Sequence, residues 1–407
     1  MSNLRGKRIL LGVCGSIAAY KAVDLASKLT QADAEVDVIM TVAAQRFVSA
    51  LTFQAATGRS VYSDLWTSGA SGGLPSHIAH IGLAEAAGLF IIAPATANTL
   101  AKLAQGMADD MLTVSALAAA CPLLLAPAMD GNMYEHPATQ ANLQTLQSRG
   151  AQLIPPESGR LASGLSGRGR LPETATLLGH CRRVLGLTGE LAGKKVVVTA
   201  GGTREALDPV RYLSNRSSGK QGYAIAQAAI DAGARVVLIS SAQHLPTPVG
   251  AQLVPVESAE TMCRAALEHV LGAAALVMVA AVVDYRPRQV AQRKIKKTDS
   301  ALRLELARTD DILLAVKAQR AASSYPNIVV GFAAESDNLL ENARGKLRGK
   351  GLDLVVANDI SAPDAGFAVD SNRVTVLDAH GGSQRIELSS KASIAASLIQ
   401  RISSLLG

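Results

Sequence analysis

GKRILLGVCGS at residues 6–16 and GKKVVVTAGGT at residues 193–203 share one grammar: a basic lead, a run of branched aliphatics and a Gly-rich turn. A doubly wound α/β domain begins this way, with a buried strand running into a tight turn and then a helix. One such start in each half of a 407-residue chain, longer than a single hydrophobic core usually serves, predicts two domains. After the first start come the helix SIAAYKAVDLASKLTQA and strands at 35–40, 88–95 and 122–128. After the second, strands are expected at 195–199, 235–240, 275–281, 328–332 and 353–357, then a hairpin at 373–388 and a last helix at 390–405. Apolar, non-alternating strands between helices imply mainly parallel sheets covered on both faces, so the fold class is α/β with two Rossmann-like domains. The expected boundaries are 1–185, a linker GLTGELAG at 186–193, and 194–407. ESGRLASGLSGRGR, from residue 157, is too rich in Gly and Arg for a regular element and reads as a loop able to act as a flap.

Hydrophobic residues make up 48% and charged residues 18%, which excludes a disordered chain. The net charge of +7 allows an anionic partner, but aromatics are only 3% and the Lys and Arg are scattered, which favours phosphorylated small molecules over nucleic acid. Four separated cysteines without a CxxC pair fit a reducing cytoplasm, and the start shows no secretory pattern. The apolar run from Met111 to Met129 is broken by Thr113, Ser115, Pro122 and Pro127, so it reads as a buried helix and strand and not a membrane span.

Candidate sites follow from strand ends. GVCGSIAAYK (12–21) places Gly15, Ser16 and Ile17 at a helix start, where amides and the helix dipole favour phosphate. It lacks GxGxxG spacing, and Thr41, not an acid, follows the second strand, so a mononucleotide is favoured over a dinucleotide. Thr96 and Asn98 in APATAN stand at the next strand end, with Asn98 equally readable as a helix cap. His77 and His80 could share a helical face; no third ligand matches their spacing, which sets a metal pair low and leaves one of them as a candidate base, with a solvated surface histidine as the competing reading. In PAMDGNMY (127–134), Asp130 follows a buried strand, a costly place for a carboxylate unless it is paired or faces a solvent-filled pocket. In the second half, Ser214 stands where a P-loop needs its first Gly and Gln221 follows Lys220, which rejects a Walker ATPase. A long polar loop remains there, offering Ser217, Ser218, Gly219 and Lys220 to an anion at a helix start.

GSIAAYK, His80 before APATAN, GMADD, PAMDGNMY and SGRLASGLSGRGR together resemble the flavin mononucleotide-dependent cysteine decarboxylases. The resemblance implies a flavodoxin-like FMN domain and a reaction in which flavin oxidises a cysteine thiol end before its carboxylate leaves. It also implies His80 as the active-site histidine, and cofactor contacts from Gly15, Ser16, Ile17, Thr41, Thr96, Asn98, Ser115 and Met129. Asp130 stands at a position that is Asn in the family's commoner form, and Ser163 where the flap's proton-donating cysteine is expected. Serine is a far weaker acid than cysteine, so another donor is needed. If both were charged, Asp130 would repel the substrate carboxylate unless it were protonated or met by Arg160, Arg168 or Arg170.

VVVTAGGTREALDPVRYLSNRSSGKQGY, MVAAVVDYRP, RKIKK, GFAAES and NARGKLRGKG resemble phosphopantothenate-cysteine ligase. That resemblance implies CTP, with magnesium, activating the 4'-phosphopantothenate carboxylate as an acyl-cytidylate that the cysteine amine attacks. Asn215 would contact that intermediate, and Met278, Val279 and Ala280 would border the nucleotide. Asp284 and Phe332 would meet CTP, Lys294 its phosphates or the intermediate, and Lys346 and Lys350 the triphosphate. Thr309, Asp310, Asp311 and Ile312 replace the family's Asn-Pro-Asp-Ile. In this order the halves resemble the bacterial bifunctional flavoproteins of coenzyme A biosynthesis. The expectation is a cytoplasmic homo-oligomer, with trimeric flavin domains and dimeric ligase domains, that turns 4'-phosphopantothenoylcysteine into 4'-phosphopantetheine. The alternative keeps the ligase and makes the first half a flavin-binding but decarboxylase-inactive domain.

Overall fold

The computed structural model describes residues 3–66, 79–297, 301–335, 337–359 and 370–407. The chain divides into two compact units, Ser2–Leu185 and Gly186–Gly407. The first contains β1 (Arg8–Val13), α1 (Ala19–Gln31), β2 (Glu35–Met40), α2 (Ala50–Thr57), β3 (Val61–Tyr62), α3 (Ala79–Ala86), β4 (Leu89–Ala95) and α4 (Ala97–Gln105). It continues with α5 (Met111–Ala118), β5 (Leu123–Pro127), α6 (Gly131–Glu135), α7 (Pro137–Ser148), β6 (Gln152–Leu153), β7 (Glu157–Arg160), β8 (Ser166–Arg170) and α8 (Thr174–Gly186). Its six-stranded sheet is parallel, in the order β3-β2-β1-β4-β5-β6, a flavodoxin-type order with the two-residue β3 added at one edge. Successive residues of β1 feed opposite cores: Ile9, Leu11 and Val13 pack with α1, while Leu10 packs with Leu112 and Phe90. This two-sided burial is why the strand reads as a continuous apolar run.

The second unit contains β9 (Lys195–Ala200), β10 (Arg204–Ala206), β11 (Tyr212–Ser214), α9 (Lys220–Asp231), β12 (Arg235–Ser240), β13 (Gln252–Pro255), α10 (Ala259–His269), β14 (Ala275–Met278) and β15 (Tyr285–Pro287). Beyond these lie β16 (Leu306–Arg308), α11 (Ile312–Ser323), β17 (Ile328–Glu335), α12 (Leu339–Lys350), β18 (Leu354–Asp359), β19 (Ser371–Asp378), β20 (Ser383–Ser390) and α13 (Lys391–Leu406). Eight strands form one sheet, β13-β12-β9-β14-β17-β18-β19-β20, parallel except for the last two pairings. β10 pairs with β11, and β15 with β16, as small antiparallel ribbons outside it.

Three sequence expectations need correction. Residues 157–170 are not an irregular loop: β7 and β8 form an antiparallel hairpin with its tip near Ser163. Glycine weakens strands but also lets backbone come very close, and Gly169 lies directly against the Met129 carbonyl. The strand expected over 275–281 stops at Met278, because the next two amides, Val279 and Ala280, donate to the Thr199 hydroxyl, each at 3.1 Å, and leave the ladder. The stretch 186–193 is no free tether: Leu191 is fully buried in the second core and its amide donates to the Ala232 carbonyl at 2.7 Å.

On α8, burial pushes the His180 imidazole down to about 4, with the Arg183 charge adding to the effect. The folded histidine stays neutral where the unfolded one, near 6.5, takes up a proton, so stability is lost as pH falls from 6.5 toward 4. His180→Gln is expected to flatten the Tm of the full chain over that window; an unchanged acid slope in the variant would assign the loss to other groups.

Candidate active sites

At the carboxyl ends of β1 and β4, where the strand order reverses, a cleft of about 1070 Å³ opens. Gly15, Ser16 and Ile17 form one wall, Thr41 a second, Thr96 and Asn98 a third, and Met129, Asp130 and Ser163 a fourth. The strand-end turns touch: a Cβ on Gly15 would lie 2.5 Å from that of Ala43. The Ser16 hydroxyl accepts from the Ala18 amide at 3.2 Å, and α1 starts without a side-chain cap. Thr96, not Asn98, caps α4 by accepting from the Thr99 amide; Asn98 lies just inside that helix, exposed and lining the cleft. The sequence reading assigned no role to Lys21 and Lys102, which also line it. Buried Lys21 donates to the Leu171 carbonyl at 3.0 Å and pairs with Glu173 at 2.7 Å, tying the chain beyond the hairpin to α1. Lys102 pairs with Asp109 at 2.7 Å and Asp110 at 3.1 Å.

Two expected residues stand apart from this cleft. Ser115 is fully buried in α5 and its hydroxyl donates to the Met111 carbonyl at 2.8 Å, a helix-internal bond that leaves it no face toward the cavity. His80, at the start of α3 and partly buried, is not among the lining residues. His77 lies outside the described residues.

Asp130 and Ser163, the two departures from the decarboxylase pattern, meet each other. The Ser163 hydroxyl donates to the Asp130 carboxylate at 2.6 Å, and the Asn132 amide donates to its other oxygen at 3.1 Å at the start of α6. These bonds, Ser163 first, hold the Asp130 carboxyl below the ordinary carboxylate range. The expected arginine partner is therefore corrected. Arg168 lies over the Tyr134 ring, 5.3 Å from its centroid, and Arg170 is within 3.7 Å of Glu173, while the loop end and the hairpin serine satisfy the charge. A serine proton aimed at a carboxylate is not aimed at a substrate. Cys14 does not replace the missing thiol either, since it is buried and desolvation pushes it up to about 11. Asp130→Asn keeps an acceptor for the Asn132 amide and removes a charge that repels the substrate carboxylate. Decarboxylation is expected to hold or rise, and its complete loss in a steady-state assay would give the carboxylate a role of its own.

The cleft suits a flat aromatic ring system carrying a phosphate. Ile17, Val42 and Met129 give apolar walls, and Ser16, Thr41, Thr96 and Asn98 bring hydroxyl and amide groups to a helix start. That donor set fits FMN.

The second cleft, about 1470 Å³, lies at the carboxyl ends of β9, β14 and β17. It gathers Asn215, Ser217, Ser218 and Gly219 from the loop before α9, Met278 from the end of β14, and Val279, Ala280 and Asp284 from beyond it. Thr309, Asp310, Asp311 and Ile312, with Phe332, Lys346 and Lys350, complete it. The Asn215 amide donates to the carbonyls of Ala281 at 3.3 Å and Val282 at 3.1 Å. Thr309 donates to the Val283 carbonyl at 2.6 Å, and Lys346 to the Phe332 carbonyl at 2.6 Å. Asp311 caps α11 and pairs with Lys350. Burial raises the Asp311 carboxyl, but the Lys350 hydrogen bond, the Leu314 amide and the nearby lysine charges outweigh it and hold the group below its ordinary range. Lys220 and Lys294 do not line the cleft. Lys220 is drawn to Asp370 at 2.7 Å, and Lys294 is exposed on a segment fastened elsewhere. Lys391, at the start of α13, lines the cleft without a local sequence signal. Among the described residues no cluster of three or more His, Cys, Asp or Glu side chains could hold a metal.

The comparisons with known proteins cover both units. The family model Flavoprotein matches residues 1–186, and the DNA/pantothenate metabolism flavoprotein C-terminal domain matches residues 191–406. The coenzyme A biosynthesis bifunctional protein CoaBC of Bacillus subtilis is 45% identical over 99% of this chain and 98% of its own, and that of Vibrio vulnificus strain YJ016 is 41% identical over the full length of both. A crystal structure of the C-terminal domain of a CoaBC protein is 36% identical, covering 54% of this chain and 98% of that one, with a TM-score of 0.45. A PPC decarboxylase mutant complexed with pantothenoylaminoethenethiol is 35% identical over 44% of this chain and 97% of its own, with a TM-score of 0.39. With two family domains in tandem and full-length relatives at 41% and 45% identity, the chain belongs to the CoaBC family of bifunctional enzymes of coenzyme A biosynthesis.

Proposed function

We propose that the second unit joins cysteine to 4'-phosphopantothenate at the expense of CTP and that the first decarboxylates the product, 4'-phosphopantothenoylcysteine, to 4'-phosphopantetheine with FMN. The observation that carries this reading is the pair of clefts, one at each sheet's carboxyl edge, the first lined by Ser16, Thr96, Met129 and Asp130 and the second by Asn215, Asp284, Phe332, Lys346 and Lys350. In the ligase cleft, Asn215 positions the activated carboxylate, Asp284 and Phe332 meet the nucleotide, and Lys346 and Lys350 neutralise its triphosphate. Ser217, Ser218 and Gly219 take the substrate at the start of α9. Magnesium would supply charge neutralisation at the CTP phosphates, and Asp310 and Asp311 are carboxylates lining the cleft that could help hold it, Asp311 being already engaged by Lys350 and the Leu314 amide.

In the first cleft Ser16 and Thr96 take the cofactor's phosphate end, and Ile17 and Met129 flank its rings. When bound, FMN would supply a two-electron oxidation of the cysteinyl thiol end that allows the carboxylate to leave, and would return the two electrons to the resulting enethiol, so that 4'-phosphopantetheine forms with no net redox change. Asp130 and Ser163 fix the wall beside the substrate's reacting end. His80, set apart from the cleft of its own chain, serves the site across a trimer interface, while the ligase units pair as dimers. No helix among the described residues is long and apolar enough to cross a membrane, in keeping with the proposed cytoplasmic location.

The test is a purified full-length chain: it should be yellow and release FMN, and should form phosphopantothenoylcysteine with CTP. Equal turnover with ATP would overturn the nucleotide assignment. Decarboxylation that survives His80→Asn would overturn the assignment of the histidine.

A further inference from the structure

Asp208, in the turn between β10 and β11, is 3% exposed and lines neither active cleft. A carboxylate so enclosed is costly unless fully bonded. Asp208 accepts from the amides of Val210 at 2.8 Å, Arg211 at 2.9 Å and Ile295 at 3.0 Å. The Arg211 guanidinium grips the same carboxylate, Nε at 3.0 Å and Nη2 at 2.6 Å, and Nη2 also donates to the Ile295 carbonyl at 2.7 Å. Both backbone groups of Ile295 are thus held by one ion pair, its carboxylate buried and its guanidinium exposed, and a third bond joins the same two segments, from the Ala291 amide to the Leu207 carbonyl at 3.0 Å.

The clamp holds the residue beside Lys294. That lysine is exposed and lies ten positions beyond Asp284, on the chain that leaves the cleft wall through β15. β15 pairs with β16, whose far end delivers Thr309 and Asp310 to the same cleft, and the Thr309 amide donates to the Asp284 carbonyl at 2.9 Å. The segment bearing Lys294 is therefore fixed at both ends, by the cleft wall at Asp284 and by the clamp at Ile295. A long, mobile ammonium carried on a fixed backbone can reach an anion with little loss of order in the chain.

We propose that Asp208 and Arg211 are positioning residues of the ligase, holding the Lys294 segment so that its ammonium meets the nucleotide phosphates or the acyl-cytidylate. This rests on the ligase reading of the second unit and on the contact with the CTP phosphates or the intermediate that the resemblance implies for Lys294, whose side chain does not itself line the cleft. Because neither Asp208 nor Arg211 lines the cleft, they act only through the chain they fasten.

The experiment is a double-mutant cycle in the full-length chain, using CTP-dependent ligation. Asp208→Asn, which keeps one oxygen for the Val210 and Arg211 amides but sets an NH2 donor where the other oxygen accepts from the Ile295 amide and the Arg211 guanidinium, is expected to lower kcat about tenfold or more. In a Lys294→Ala background the same change is expected to cost less than about twofold, because the group it positions is gone. Decarboxylation by the same preparations serves as the control and should not change. Equal losses in both backgrounds would reduce the clamp to general support of the fold, and wild-type turnover by Asp208→Asn would remove it from the ligase altogether. Full activity in Lys294→Ala alone would sink the role of Lys294, an outcome read separately from the cycle. If thermal melts show that Asp208→Asn is unfolded, Arg211→Lys, which keeps the charge but loses the fork, takes its place with the same expected pattern.

Discussion

Asn215→Asp is expected to lower CTP-dependent ligation by about two orders of magnitude while leaving decarboxylation untouched. The two side chains are nearly the same size and shape, so packing is not the issue. The difference is donors: the Asn215 amide nitrogen donates to the carbonyls of Ala281 and Val282, and a carboxylate cannot donate to either. Two net hydrogen bonds are lost, each worth about 1–1.5 kcal/mol, and an anion is left facing two carbonyl oxygens. Asn215 is exposed when the cleft is open, so part of this cost is screened until substrates displace water. In the filled cleft the same anion also faces a triphosphate. At about 1.4 kcal/mol per factor of ten, the lost bonds, discounted for this exposure, account for about a tenfold drop, and the repulsion in the filled cleft for the rest. Turnover of phosphopantothenate, cysteine and CTP by the purified variant is the measurement. Asn215→Ala is the comparison: it removes the bonds without adding repulsion, so it should fall by less. A rate for Asn215→Asp within about threefold of wild type would show that the loop from Ser214 to Gly219 is held by its other contacts and not by this amide.

The central strands were legible because burial on both faces leaves a continuous aliphatic run, as in RILLGV and KVVVTA, which few other elements produce. The strand-end residues were legible for a related reason: in a doubly wound sheet they fall just after such runs, and Ser16, Thr41, Thr96 and Met129 all line one cleft as that rule requires. What escaped was set by long-range partners. Nothing local to ESGRLASGLSGRGR says that it pairs with itself as a hairpin against the Met129 loop, because its glycines argue against a strand until their close neighbours are known. Lys220 carries the charge that its motif needs, but Asp370, 150 residues away, takes it. Thr199 ends β14 early from a neighbouring strand, a contact invisible in the sequence around Met278. Asp130 and Ser163 each looked like an isolated departure, and only the fold shows that one hydroxyl and one carboxylate satisfy each other across 33 positions.

Gly169→Ala should produce the largest loss in the first unit: decarboxylation down more than a hundredfold, FMN released on gel filtration, ligation intact. A Cβ at Gly169 would sit 2.1 Å from the Met129 carbonyl oxygen and 3.3 Å from its carbon, well inside van der Waals contact with backbone that cannot rotate away. The hairpin is seated there by the Met129 amide, which donates to the Gly169 carbonyl at 3.0 Å, so relief of the clash must break that bond as well. Lifting β8 then withdraws Ser163 from Asp130 and opens the wall that Arg170 and Leu171 share with the cofactor cleft. Enzyme geometry is unforgiving on this scale, a displacement of about 1 Å costing on the order of a hundredfold. Gly167→Ala separates this close approach from a general intolerance of side chains in the hairpin. Two residues earlier on the same strand, its Cβ would meet the Leu161 side chain at 3.5 Å and the Gly131 Cα at 3.9 Å, both ordinary contacts, and turnover should stay within about threefold of wild type. If both variants decarboxylate equally well, the hairpin moves freely enough to absorb the clash, and the seat at Met129 has no part in holding the cofactor or the substrate.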